Sequence, residues 1–93
     1  MSAQPFTSVW DAIEDSSAEA ENMKIRSSLM IALQNHITGE GLSQTEAAKI
    51  LGVTQPRVSD LMRGKIDLFA IDTLVNMLGA AGLHVEMHIS KAA

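Results

Sequence analysis

Residues 42–65 read LSQTEAAKILGVTQPRVSDLMRGK, and this stretch decides the fold. Ser43 is followed three residues later by Glu46, a capping box that satisfies two otherwise unpaired amides, so a helix is expected to begin there. Ala47, Ala48, Ile50 and Leu51 then form one small, apolar face, and Gly52 supplies the backbone freedom to leave the helix. Thr54 is the expected N-cap of a second helix. Pro56 falls in its first turn, where a missing N–H costs nothing, and Val58, Leu61 and Met62 recur at helical spacing. Two helices of about two turns each, separated by about three residues, cross steeply rather than run side by side. Ala48 stands where they approach most closely, and Val58 and Leu61 face inward to hold the second helix against the domain.

That geometry is the DNA-binding helix-turn-helix. A helical hairpin of this composition also arises in all-helical proteins, but the outward residues of the second helix suit base edges. Gln55 can pair bidentately with adenine and Arg57 with guanine, while Pro56 offers an apolar surface to a thymine methyl. Ser59 and Asp60 lie a turn deeper. A carboxylate at Asp60 is repelled by phosphates unless it accepts from cytosine or pairs with Arg57 or Arg63. At the positive end of the first helix, Ser43 and Gln44 are expected to meet a phosphate, and Thr54 does the same at the start of the second.

Residues 42–64 resemble the helix-turn-helix of the Xre family, the group that includes the phage lambda repressor, along the whole motif SQTEAAKILGVTQPRVSDLMRG. A broader likeness runs from about Val9 to Ile89. The run VWDAI, the motif itself and the following DTLVNMLGAAGLHVEMHI resemble small Xre-type antitoxins of the HigA kind. That resemblance implies a protein that binds its own operator and a small RNA-cleaving toxin. It also implies that the loop after the reading helix follows the DNA backbone, which makes Arg63 and Lys65 candidates for phosphate contacts. The chain departs from the family at Ala70, where a serine or threonine cap is common; Asp72 in the next turn compensates through the helix dipole.

The chain has 93 residues, enough for one small domain. With 46% hydrophobic residues but only three aromatic ones, the expected core is aliphatic and suits packed helices. There is no cysteine, which removes disulfides and thiolate metal sites. The longest apolar run is far short of a membrane span, and the acidic start is unlike a signal peptide, so a cytoplasmic location is expected. The net charge of −4 argues at first sight against a nucleic-acid partner. The acidity is local, however: residues 1–22 carry Asp11, Glu14, Asp15, Glu19 and Glu21 and no Lys or Arg, while the remainder is close to neutral. Binding to DNA must then depend on a few placed cations and on two copies acting together.

Residues 1–15 read as an acidic arm, with at most one short turn carrying Val9, Trp10 and Ile13. Trp10 either docks the arm onto the domain or anchors an interface with a basic partner such as a toxin. Ser16 and Glu19 form a second capping box, which predicts a helix over residues 17–38 closed by Gly39. Its core stripe is Met23, Met30, Leu33 and Ile37, widened by Leu29 and Ala32; Lys24, Arg26 and Gln34 fall away from it as solvated positions, and His36 is expected to be partly buried. A last helix is expected near residues 71–81, with Leu74, Val75, Met77, Leu78 and Ala81 at core spacing and Gly82 as its stop.

The period then changes. Leu83, Val85, Met87 and Ile89 alternate with His84, Glu86 and His88, the two-residue repeat of a half-buried strand. One strand has no partner in its own chain, so the simplest source of hydrogen bonds is the same strand of a second copy. The fold expected is all-α, a lambda-repressor-like helix-turn-helix bundle (residues 16–82) with one C-terminal β-strand (residues 83–93 with its tail) pairing across a homodimer. His84, Glu86 and His88 share a strand face and have the chemistry of a zinc site, but such a trio is more simply the polar face of an edge strand, and no metal or other cofactor is expected. No paired carboxylates, activated serine or phosphate loop is present, so an enzyme is not expected. Three function classes stay open: an antitoxin that represses its own operon, a stand-alone repressor, and a protein-interaction module without DNA binding.

Overall fold

The structure, a computed structural model, describes residues 9–91, with side chains from Ser17 onward. Four α-helices follow in order: α1 (Val9–Gly39), α2 (Gln44–Leu51), α3 (Gln55–Met62) and α4 (Ile71–Ala80), with a single 3-10 turn at Ile66–Leu68 between the last two. Helix α1 packs chiefly on α4, and α2 on α3. Every helix contributes to one core. Leu33 from α1, Ala47 from α2, Val58 and Leu61 from α3 and Leu74 from α4 are fully buried, and Phe69, from the loop before α4, joins them.

Helix α1 begins earlier than the capping pattern predicts. Ser16 and Glu19, expected to open it, lie inside a continuous helix. Nothing from Val9 to Thr38 is glycine or proline, and a serine inside a helix costs only a few tenths of a kcal/mol, so a capping pair alone does not force a start. The helix is about 46 Å long at its standard rise, yet its buried residues begin only at Leu29. Residues 17–22 are exposed, so this section of α1 stands clear of the core and carries Glu19 and Glu21 with it.

The far end of α1 also differs from expectation, because the residue that ends it is Gly41 and not Gly39. Gly41 has φ 65°, Leu42 N–H donates to the Ile37 carbonyl, and Gly41 N–H donates to that of Thr38. This paired closure, with a left-handed glycine just past the helix, satisfies the last carbonyls and turns the chain. The same device ends α2 at Gly52, α3 at Gly64 and α4 at Gly82, each with positive φ. The next residue after each glycine, Val53, Lys65 and Leu83, donates back to Ala48, Asp60 and Leu78. Four helices therefore stop by one rule, and the sharp stops keep the connections short.

Four apolar residues expected in the core are outside it: Met23 is only half-buried and does not join the cluster, and three others are exposed. Ile50 and Val75 are 43% and 39% exposed, and Ala32 is exposed. Each of the three sits at the edge of a stripe whose centre is filled by larger or better-placed neighbours, since a helix packed on one side buries about one-third of its circumference. Ala70 caps α4 without a side-chain hydrogen bond, and Asp72 sits in the first turn, as the sequence implied.

The expected C-terminal strand is not formed. Residues 83–91 have no regular secondary structure, for a physical reason: a lone strand has no ladder within one chain. The alternation nevertheless begins. Leu83 and Val85 are half-buried against the core and His84 and Glu86 are exposed, but Met87 and Ile89 are 70% and 83% exposed.

The two glycines at the end of α1 give a direct test. Gly41→Ala should destabilise the fold by roughly 1–2 kcal/mol because alanine resists the left-handed conformation, whereas Gly39→Ala, helical and with open space around it, should stabilise by up to about 1 kcal/mol. Urea unfolding followed by circular dichroism checks both signs.

Candidate nucleic-acid interface

Helix α2 is fixed at its start by the predicted box: Glu46 N–H donates to Ser43 Oγ at 3.1 Å, and Ser43 N–H donates to Glu46 Oε1 at 2.8 Å. Hydrogen bonds to the carboxyl from the Ser43 backbone N–H and then from the Ser43 side chain hold Glu46 below its usual range. Gln44 beside Ser43 is exposed. Thr54, the N-cap of α3, accepts from Arg57 N–H at 3.3 Å through Oγ1 and retains its own donor proton. Ser43, Gln44 and Thr54 thus cluster at two helix N-termini, where backbone dipoles favour an anion.

The close crossing of the two helices rests on small residues. Ala47 is fully buried and Ala48 nearly so, and Val58 and Leu61 fill the opposite side of the contact. Across the outer edge of this crossing Thr45 Oγ1 donates to Gln55 Oε1 at 3.3 Å, tying the first residue of α3 to α2. Gln55, Pro56 and Arg63 are exposed, and Ser59 and Asp60 are half-buried on the flanks of α3.

Two of the predicted contact cations, Arg57 and Lys65, already have partners within the protein. The Arg57 guanidinium lies over the Phe69 ring, 4.1 Å from its centroid, and is half-buried there. Lys65 Nζ is 3.4 Å from Asp60 Oδ1. Asp60 was expected to need Arg57, Arg63 or a cytosine, and its partner is instead Lys65, brought back along α3 by the Gly64 turn. Their side chains are 43% and 28% exposed, so water screens the pair and it is readily exchanged for other partners.

The other end of α3 is held by residues that the sequence placed in solvent. Gln34 Nε2 donates to the Leu61 carbonyl at 2.9 Å, and Arg26 donates both to the Ile66 carbonyl at 3.3 Å and to Asn22 Oδ1 at 2.6 Å. Both polar residues are half-buried and fasten α1 to the last turn of α3 and to the 3-10 turn. A signal existed: Arg26 and Gln34 stand four residues before and after Met30, in register with the core stripe. Lys24 does behave as a surface residue, paired with Glu21 at 3.9 Å, and His36 is partly buried.

Elsewhere, Leu83 and Val85 reach the core while Met87 and Ile89 face outward, so the predicted dimer set is split between two environments. His84 Nε2 is 3.9 Å from Glu86 Oε2 and His88 is exposed. Among the described residues no group of three or more metal-ligating side chains converges. The predicted toxin contacts at Val9, Trp10 and Ile13 lie in the helical backbone of α1, and their side chains fall outside the described residues. No helix among the described residues is long and apolar enough to cross a membrane.

Comparison with known proteins agrees with this geometry. A family model described as a helix-turn-helix domain matches residues 12–90. A solved chain named as an XRE family transcriptional regulator is similar with a TM-score of 0.73 and 36% identity, over 80% of this chain and 83% of that one. No curated protein matches the sequence. The α2–α3 unit with its polar outer edge, the match along nearly the whole chain and the shared fold lead to one conclusion: this chain belongs to the XRE-type helix-turn-helix family of DNA-binding transcriptional regulators.

Proposed function

We propose that the chain acts as a homodimeric repressor at an inverted-repeat operator, and that it doubles as an antitoxin against a small basic ribonuclease toxin. The observation that carries the DNA part is the packed α2–α3 pair, in which the Thr45–Gln55 hydrogen bond ties the first turn of α2 to the start of α3, beside the exposed Gln44, Gln55 and Pro56. In this reading Gln55, Pro56, Arg57, Ser59 and Asp60 face base edges. Ser43, Gln44, Thr54, Arg63 and Lys65 hold the phosphates, with Lys65 exchanging its screened partner Asp60 for the DNA backbone.

Dimerisation follows from two features. Few cations are free around α3, so one copy binds weakly, and Met87 and Ile89 are exposed apolar residues on a segment with unused backbone hydrogen-bonding groups. Antiparallel pairing of residues 83–89 with a second copy covers both and sets two reading helices in successive major grooves, about 34 Å apart. The antitoxin part rests on the HigA-like resemblance and on the exposed N-terminal section of α1, whose acidic residues suit a basic protein that itself binds RNA. A ribonuclease encoded beside this chain and silenced by it supports this part; activity of that ribonuclease undiminished by the chain leaves a stand-alone repressor.

Arg57→Ala should cost about 1–3 kcal/mol of operator affinity and relax base preference, whereas Lys65→Ala should weaken binding to all duplexes alike and reduce the salt slope by about one. Titrations on operator and scrambled duplexes separate the two; equal losses on both duplexes in both variants mean the reading edge is misassigned. Removal of residues 83–93 should give a monomer with poor operator binding, checked by sedimentation, and a truncated chain that still sediments as a dimer rules out the strand pairing.

A further inference from the structure

The contact between Arg57 and Phe69 is an unusual use of a buried ring. Phe69 is 1% exposed and follows the 3-10 turn, its N–H donating to the Ile66 carbonyl at 3.2 Å. That same carbonyl accepts from Arg26, so α1 braces the turn that presents the ring. Arg57 is fixed at its other end, because its backbone N–H donates to the Thr54 carbonyl and to Thr54 Oγ1. The guanidinium therefore spans two anchored points, the first turn of α3 and the ring of Phe69.

Stacking uses the face of the guanidinium, while its donors lie in the plane and point outward from the rim. Among the described residues no carboxylate stands within ion-pair distance of Arg57, and no side-chain hydrogen bond from it is formed. The cation is ordered without its donors being spent. Lys65 differs, since its charge is held by Asp60.

We propose that Phe69 is a positioning residue for DNA recognition. Its ring sets the place and tilt of the Arg57 guanidinium, so that the planar N–H fork is presented ready-made to the O6 and N7 acceptors of a guanine in the major groove. This inference rests on the reading of Arg57 as a base contact. A free arginine orders its side chain only on binding and gives up part of the selectivity of the bidentate contact to that ordering. Phe69 removes that loss, and it does so without touching the DNA.

The test uses the full chain and a duplex selected from a random pool by the wild-type protein, against the same duplex with the Arg57-dependent guanine pair replaced. Phe69→Leu keeps an apolar side chain, somewhat smaller, and removes the aromatic face; it should lower discrimination between the two duplexes roughly tenfold while leaving affinity for scrambled DNA unchanged. Phe69→Tyr, which keeps the face, should retain discrimination, a rescue that a purely space-filling role does not require. Full discrimination in Phe69→Leu, with loss of it in Arg57→Ala, overturns the positioning role alone. Discrimination intact in Arg57→Ala overturns the underlying assignment of Arg57 as well. Should Phe69→Leu unfold, the side-chain NMR resonances of Arg57 in the wild-type chain decide: a ring-current shift kept on the bound duplex supports the stack, and its disappearance on binding overturns it.

Discussion

The close approach of α2 and α3 is the constraint on which the rest of the structure depends. It requires side chains as small as Ala47 and Ala48 on one helix and a left-handed residue at Gly52 to reverse the chain within three residues. With those in place, Val58 and Leu61 can be driven fully into the core, which leaves the opposite side of α3 facing away from the protein. A bulkier residue at Ala48 would separate the helices and rotate that outer edge. Everything else in the domain, the α1–α4 packing and the two polar clamps from Gln34 and Arg26, keeps this pair at one orientation.

Charge is used sparingly around that edge. Asp60 offsets Lys65, which leaves Arg57 on its ring and the exposed Arg63 as the cations of α3 and its end, too few to attract DNA strongly from a distance. Recognition by such a surface depends on placed contacts and on their repetition. This gives the C-terminal segment its weight in the proposed mechanism, because a second copy doubles each contact at no cost to the charge of either subunit. The N-terminal part of α1 has the opposite character: Glu19 and Glu21 are exposed there, and among the described residues the only cation beside them is Lys24, paired with Glu21.

Much of the fold is legible in the sequence, and the pattern of success has a physical basis. The capping box at Ser43, the N-cap at Thr54 and the inward faces of α3 and α4 are local signals, and each is present. The end of α1 is less legible because Gly39 and Gly41 both lie at the right distance, and only the conformation distinguishes them. The start of α1 misleads because a capping pair describes what a helix end tolerates, not where it must be. Phe69 is invisible to periodicity: one aromatic in a loop has no repeat around it, and its burial is a matter of tertiary packing. The site shares this division. The residues exposed on α3 follow from helical geometry, whereas the partners of Arg57 and Asp60 come from the path of the chain after Gly64, which no spacing rule specifies.

The central claim is that two α3 helices read one DNA site from the same face. Hydroxyl-radical footprinting of the full chain on a selected duplex tests it most directly. The account predicts two protected windows on one face of the DNA, with centres one helical turn or about 34 Å apart, related by an inverted repeat. A single protected window, or uniform protection without preference for any sequence, would contradict it.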